Sequence, residues 1–412
     1  MENSKKLAFG KLTAYGTPGL GFGFSYMIIL VYLPKFYTDT VGMSIGFIGF
    51  LLALSRVWDG INDPLIGILS DKTRSHWGRR RSWIAISSVL FAANLAWVLN
   101  PPISWPLEYQ HVWLFIMLLL LFFVWSGLLV PYFSLAIDLS KDYVERTKLF
   151  VARGIMTNIG ILCLPITMVL LKHSLGSDIP DSELTRFSLL SGIAAFVTIT
   201  TALICVAIIK EPTIKEQQRS PEGFFSQFTI IKTNKIFRYW LVIFILAYIN
   251  ATSISALFLY FIDYVIQSEK GDMILGCFTL GAFIGIPLQY VLIQYLQKQY
   301  VILLSIVLAM VILAWAFTLG PGDEQSMFII GTLLGCTYFP AISISLISME
   351  ADAIDYDEWQ TGYRREATHV GVAYFLMKLA AAITIGIVYM YLGSIGYVSQ
   401  AHNQPAEVIT AL

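Results

Sequence analysis

Charge is scarce in this sequence. Asp, Glu, Lys and Arg make up 13% of its 412 residues, while 57% are hydrophobic. Soluble domains carry about 25% charged residues, so the composition excludes an ordinary soluble fold and defines a polytopic membrane protein. The 27 basic and 27 acidic residues cancel, and no basic patch remains to bind nucleic acid. Cysteine is scarce as well. Cys163, Cys205, Cys277 and Cys336 each lie in an apolar run, without the spacing of a metal site or a disulfide framework, and read as packing residues. Membrane-enzyme chemistry finds no support: there is no His-Glu-x-x-His and no nucleophile with a base at motif spacing. No small-residue cleavage site comes after Met1-Glu2-Asn3-Ser4-Lys5-Lys6, so a removable signal peptide is not expected.

What the chain has is long apolar runs. Segments of about 20 apolar residues can cross the hydrocarbon core as helices. They fall near 15–38, 45–70, 83–100, 112–136, 149–171, 187–209, 239–266, 273–296, 300–319, 326–350 and 369–395. The fold class is therefore all-α and membrane-spanning, with eleven spans. Lys and Arg are unequally shared between the loops: twenty on the side of the N-terminus, four on the other. The N-terminus is expected to be cytoplasmic. The longest polar stretch comes after span six. The organisation expected is a six-helix bundle at 1–209, a cytoplasmic linker at 210–238 and a second bundle at 239–412 with five helices. Two six-helix halves joined by a linker are a transporter architecture. The second half ends in a polar stretch on the outer side, so a twelfth helix is not expected within these residues.

The chain is organised around residues 55–82. Arg56, Asp59 and Asp63 sit at i, i+3 and i+7 on one face of span two, with Asn62 on its shoulder. Charge within a bilayer is costly and marks an ion or solute path. An Arg–Asp lock between helices would serve packing alone, but a lock needs one carboxylate and this face offers two. Carboxylates a turn apart in a poorly hydrated site can share a proton. With Asn62 and Ser126 of span four they can instead offer hard oxygen ligands to a cation. Binding such an ion would free Arg56, Arg153 or Lys378 to change partners, a physical route to coupling.

Other spans supply weaker signals. Gly19-x-x-x-Gly23 in span one permits close helix approach, and glycines beside a cavity could also leave room for a ligand. Ser126 can equally bond its own helix backbone. Arg153 could snorkel to the surface or face inward, whereas Lys378, mid-span, should meet a carboxylate or a water-filled cavity. Tyr248, Asn250, Thr252, Ser253, Ser255 and Tyr260 of span seven could line a polar cavity or simply bond between helices. After span ten an acidic loop containing Asp355, Asp357 and Glu358 could pair with Arg79, Arg80 and Arg81 and hold one side shut, or be ordinary surface charge.

Arg56-x-x-Asp59-x-x-Asn62-Asp63-Pro64 resembles the second helix of the glycoside–pentoside–hexuronide:cation symporters, the melibiose permease-like branch of the major facilitator superfamily. The resemblance continues through Phe36-Tyr37-Thr38-Asp39, Trp77-Gly78-Arg79-Arg80-Arg81, Pro131-Tyr132, Asp142-Tyr143-x-Glu145-Arg146-Thr147, Asp355-Tyr356-Asp357-Glu358 and Lys378, and covers nearly the whole chain. It implies a twelve-helix fold. It also implies a cation site of Asp59, Asn62, Asp63 and Ser126, with the two aspartates as the metal ligands if the ion is Na⁺. Arg153 and Lys378 match basic residues around the sugar cavity. Gly23 and Leu129 fall where the family's acidic residues grip sugar hydroxyls, and Phe133 and Pro340 where its tryptophans stand. The cation machinery is thus better kept than the galactoside grip, which disfavours melibiose and fits an acidic sugar.

The expectation is a Na⁺- or H⁺-coupled symporter of a sugar, glycoside or sugar acid, working by alternating access as a monomer in a bacterial inner membrane. Its partners are the solute, a monovalent cation and the bilayer; the coupling ion replaces any cofactor. An alternative in the same class moves an amphiphilic, lysolipid-like solute, which a lateral apolar opening would favour. An alternative in another class is a sensor that binds solute without moving it.

Overall fold

The computed structural model describes residues 8–140, 143–175, 182–211, 228–362, 366–401 and 403–412. Among them, eleven helices are long and apolar enough to cross a membrane. These are α1 (Phe9–Thr40), α2 (Ile45–Lys72), α3 (Arg79–Val98), α4 (Leu107–Ala136), α5 (Lys148–Leu175), α6 (Glu183–Ile208), α7 (Lys235–Ile266), α8 (Gly271–Tyr295), α9 (Lys298–Ala316), α10 (Glu324–Thr361) and α11 (His369–Ser394). Helix is what such sequences must form in a bilayer, where a backbone amide without an internal partner costs several kcal/mol. The protein is a multi-pass integral membrane protein. It divides into two compact units, Met1–Gln217 and Gln218–Leu412.

In the first unit, α1 packs along α5 and α6 and α4 lies against α2 and α3. Lipid gives helices no hydrophobic reason to associate, so close backbone packing has to do it. Glycine makes that possible here: a Cβ at Gly160 of α5 would overlap the Leu20 carbonyl of α1. The second unit uses the same device between α8 and α10, where a Cβ at Gly335 would overlap the Phe278 carbonyl. Helix α1 is interrupted at Thr17-Pro18. Pro18 has no N–H for the Ala14 carbonyl. The Thr17 hydroxyl stands in, 2.9 Å from that carbonyl and 3.0 Å from the Thr201 carbonyl of α6.

The arginines at the start of α3 are all engaged within the first unit. Arg79 reaches Asp138 at 2.9 Å, and Arg80 reaches Asp71 at 2.5 Å and Ser70 at 2.7 Å. The Arg80 backbone N–H donates to Glu211, and Arg81 donates to the Val206 carbonyl near the end of α6. One cationic turn thereby ties together the same-side ends of α2, α4 and α6. Arg80 is 5% exposed, and removing one member of a buried ion pair costs about 3–5 kcal/mol because the other is left uncompensated. Arg80→Leu is therefore expected to lower the unfolding temperature in detergent well below that of Lys148→Ala, which removes a half-exposed pair.

In the second unit Asn234 ties three elements together. Its Oδ1 caps α7 by accepting from the Phe237 N–H at 2.9 Å. Its amide nitrogen donates to the Ala353 carbonyl of α10 at 2.9 Å and lies 3.3 Å from His369 Nε2 at the start of α11. The acidic stretch expected as a loop after span ten is helical instead, continuing through Thr361 and ending where Gly362 turns left-handed at φ 74°. Its charges do not break a helix; only Gly362 does. Asp357 and Glu350 are buried in it, at 1% and 5% exposure.

Candidate functional site

Span two places its polar residues differently from the expected face. The buried stripe of α2 is Ser55, Asp59, Asn62, Ile66 and Ser70, at intervals of three and four. Asn62 is central rather than on the shoulder, and Arg56 and Asp63 are the half-buried flanks. The cause is α4, which packs against this side of α2. Ser126 of α4 donates its hydroxyl to Asp59 Oδ1 at 2.9 Å, across 67 residues of sequence, and both side chains are fully buried. Ser126 thus bonds the carboxylate rather than its own helix backbone.

Asn62, one turn from Asp59, is also fully buried, and neither its amide oxygen nor its nitrogen hydrogen-bonds to any of the described residues. An unsatisfied buried polar group costs about 1–3 kcal/mol. Here an amide oxygen, a carboxylate and a hydroxyl are buried together, with a second carboxylate, Asp63, a turn away. All are hard oxygen donors, the set that suits alkali-metal ions or a proton. Arg56, on the same helix, holds its guanidinium 4.8 Å over the Phe122 ring.

The solute-facing candidates are distributed between the units. Arg153 of α5 is half-buried and lies 4.0 Å over the Phe133 ring and 5.1 Å over Phe150. Phe133 and Arg153, both expected at the solute cavity, are thus in direct contact. Gly23 is buried where α1 meets α5, and a Cβ there would overlap the Thr157 carbonyl, so it serves helix packing and leaves no space for a ligand on that side. Lys378 is half-buried on α11. Of the expected polar row in α7, Ser253 and Ser255 return their hydroxyls to their own helix. Asn250 opens instead on a cavity of about 420 Å³ lined by apolar residues of α7, α9 and α10. Tyr15 carries no functional signal in the sequence beyond its place two residues before Thr17-Pro18. Its ring stacks on that of Tyr132, with centroids 4.9 Å apart.

The structure is a helical membrane protein of two units, with buried oxygen donors in α2 and one arginine over aromatic rings in α5. The chain belongs to the MFS/sugar transport protein family, which it matches over residues 14–412. It is 22% identical over 401 residues to the inner membrane symporter YicJ of Escherichia coli (strain K12), covering 96% of this chain and 85% of that one. It is 24% identical over 409 residues to the isoprimeverose transporter of Lactiplantibacillus pentosus, covering 97% and 83%. Its fold is similar to the crystal structure of a D-xylose-proton symporter, with TM-score 0.68 at 14% identity, covering 98% of this chain and 94% of that one.

Proposed function

We propose that the protein is a cation-coupled symporter of a sugar or glycoside, operating by alternating access. Asp59, Asn62, Asp63 and Ser126 hold Na⁺ or H⁺; Arg153 with Phe133, and Lys378 from the second unit, face the solute. The basic-rich loops and the N-terminus lie on the cytoplasmic side of a bacterial inner membrane. The observation that carries this reading is the buried Ser126–Asp59 hydrogen bond beside the unbonded Asn62 amide. A packing device would have satisfied that amide. The names of the relatives, a symporter and an isoprimeverose transporter, support the same class.

The test is uptake into vesicles reconstituted with the purified chain. Labelled isoprimeverose, melibiose and a methyl glucuronide are offered with and without an imposed Na⁺ or H⁺ gradient. Accumulation driven by one gradient supports the symporter and identifies its ion. Binding without counterflow in any condition replaces it with a solute sensor. Within the symporter reading, Ser126→Ala removes a hydrogen bond to a buried carboxylate, worth about 1.5–3 kcal/mol. It is expected to raise the cation concentration for half-maximal uptake by roughly tenfold or more, while the solute KM at saturating cation moves little.

A further inference from the structure

We propose that Tyr15 and Tyr132 form a reciprocal clamp that positions Arg153 for the solute; this rests on the assignment of Arg153 to the solute site. Both rings are fully buried and stack with centroids 4.9 Å apart. Tyr15 Oη donates to the Tyr132 carbonyl at 3.2 Å, and Tyr132 Oη donates to the Tyr15 carbonyl at 2.7 Å. Each phenol thus grips the other's backbone, across 117 residues.

The clamp sits beside a proline in each helix. Tyr15 precedes the Thr17-Pro18 break in α1, and Tyr132 comes directly after Pro131, whose missing N–H leaves the Gly127 carbonyl without its helical partner. A hydroxyl-to-carbonyl bond from each side joins the two proline-bearing segments. The neighbouring residues are those that the solute site needs held still. Phe133, next after Tyr132, carries the Arg153 guanidinium on its ring at 4.0 Å. The Arg153 backbone is pressed against α1 one turn beyond Tyr15, where a Cβ at Gly19 would lie 2.6 Å from its carbonyl oxygen. Phe22 closes the arrangement from behind, its ring 5.3 Å from Tyr132. The clamp therefore sets both the platform under the guanidinium and the helix face that supports its backbone. Tyr15 and Tyr132 are positioning residues. A packing role alone would be met by phenylalanine.

The test uses Tyr15→Phe and Tyr132→Phe in the full chain, which keep the stacked rings and remove one hydroxyl each. Phenylglyoxal labelling of Arg153, read by peptide mass spectrometry, reports guanidinium freedom directly. Arg56, itself over an aromatic ring, is the internal control. Losing one such bond should speed Arg153 labelling roughly 3–10-fold and leave Arg56 unchanged. The KM of the accumulated sugar should rise to a similar extent, with the half-maximal cation concentration unmoved. Wild-type labelling of Arg153 in both variants overturns the clamp. So does a parallel rise at Arg56, which would assign the hydroxyls to overall stability. Arg153→Lys separates the two layers: unchanged uptake in that variant removes Arg153 from the solute site, while the labelling still judges the clamp.

Discussion

Asp59→Asn is expected to abolish gradient-driven accumulation while leaving the protein folded. Asparagine is nearly isosteric with aspartate, and its Oδ1 can accept the Ser126 hydroxyl as Asp59 does at 2.9 Å. The geometry of the α2–α4 contact survives the change. The negative charge does not. Cation affinity in an all-oxygen site is set largely by how many of its ligands are charged, over several decades, and Asp59 is the fully buried carboxylate of the set. Its loss should cut gradient-stimulated uptake by about a hundredfold or more. With the bond to Ser126 kept, the variant should retain a melting transition in detergent. Energetically downhill exchange of labelled for unlabelled solute should persist, because Arg153 and Phe133 are untouched. Wild-type stimulation of uptake by Na⁺ or H⁺ in this variant would remove Asp59 from the cation site and take the symporter mechanism with it. Loss of both uptake and melting transition would instead make Asp59 structural.

The spans were legible because the bilayer permits so little else: an apolar run of about 20 residues has one conformational solution. All eleven expected segments are helices, most of them close to their expected bounds, although α1 begins earlier, at Phe9, and α10 runs on to Thr361. The charged turn of α2 was legible for a related reason, since charge in a span needs an explanation. Its orientation was not. Periodicity fixes the angles between Arg56, Asp59, Asn62 and Asp63, but the partner helix chooses which of them is buried, and α4 chose Asp59 and Asn62. The acidic stretch at 350–361 was misread as loop because polarity suggests water, whereas backbone breakers decide where a helix stops. Within the first unit Arg79 and Arg80 meet Asp71, Asp138 and Glu211, and Arg81 meets the Val206 carbonyl, partners that complementarity of sign alone does not pick out. Nothing in the sequence marks Tyr15 and Tyr132 as a pair, because reciprocal bonds to backbone carbonyls leave no pattern in it. Asp142, Tyr143, Arg146 and Thr147, and the arginines at 364 and 365, fall where the structure does not describe the side chains.

The second large effect concerns Gly23. The family resemblance places there an acidic residue that grips sugar hydroxyls, so Gly23→Asp looks like a route to galactoside binding. The packing predicts the opposite. Gly23 faces the Thr157 carbonyl of α5 so closely that even a methyl group would overlap it, and a Cβ there would also sit 3.0 Å from the Ile161 amide. Neither neighbour is a flexible side-chain end; both are backbone within a helix. The clash can be relieved only by moving α1 away from α5, along the line that also holds Gly16 and Gly19 against the Ala152 and Arg153 carbonyls. Ordinary overpacking costs about 1–3 kcal/mol, and the carboxylate adds the cost of burying a charge beside carbonyl oxygens that repel it. Gly23→Ala should therefore reduce the monodisperse fraction in fluorescence-detected size exclusion, and Gly23→Asp should remove nearly all of it. Gly192→Ala, where a Cβ meets nothing within 4 Å, should match the wild type. A well-behaved Gly23→Asp protein that binds a galactoside would mean that α1 can turn this position toward the solute. The α1–α5 contact would then be a moving surface rather than the fixed spine on which Tyr15 and Arg153 are set.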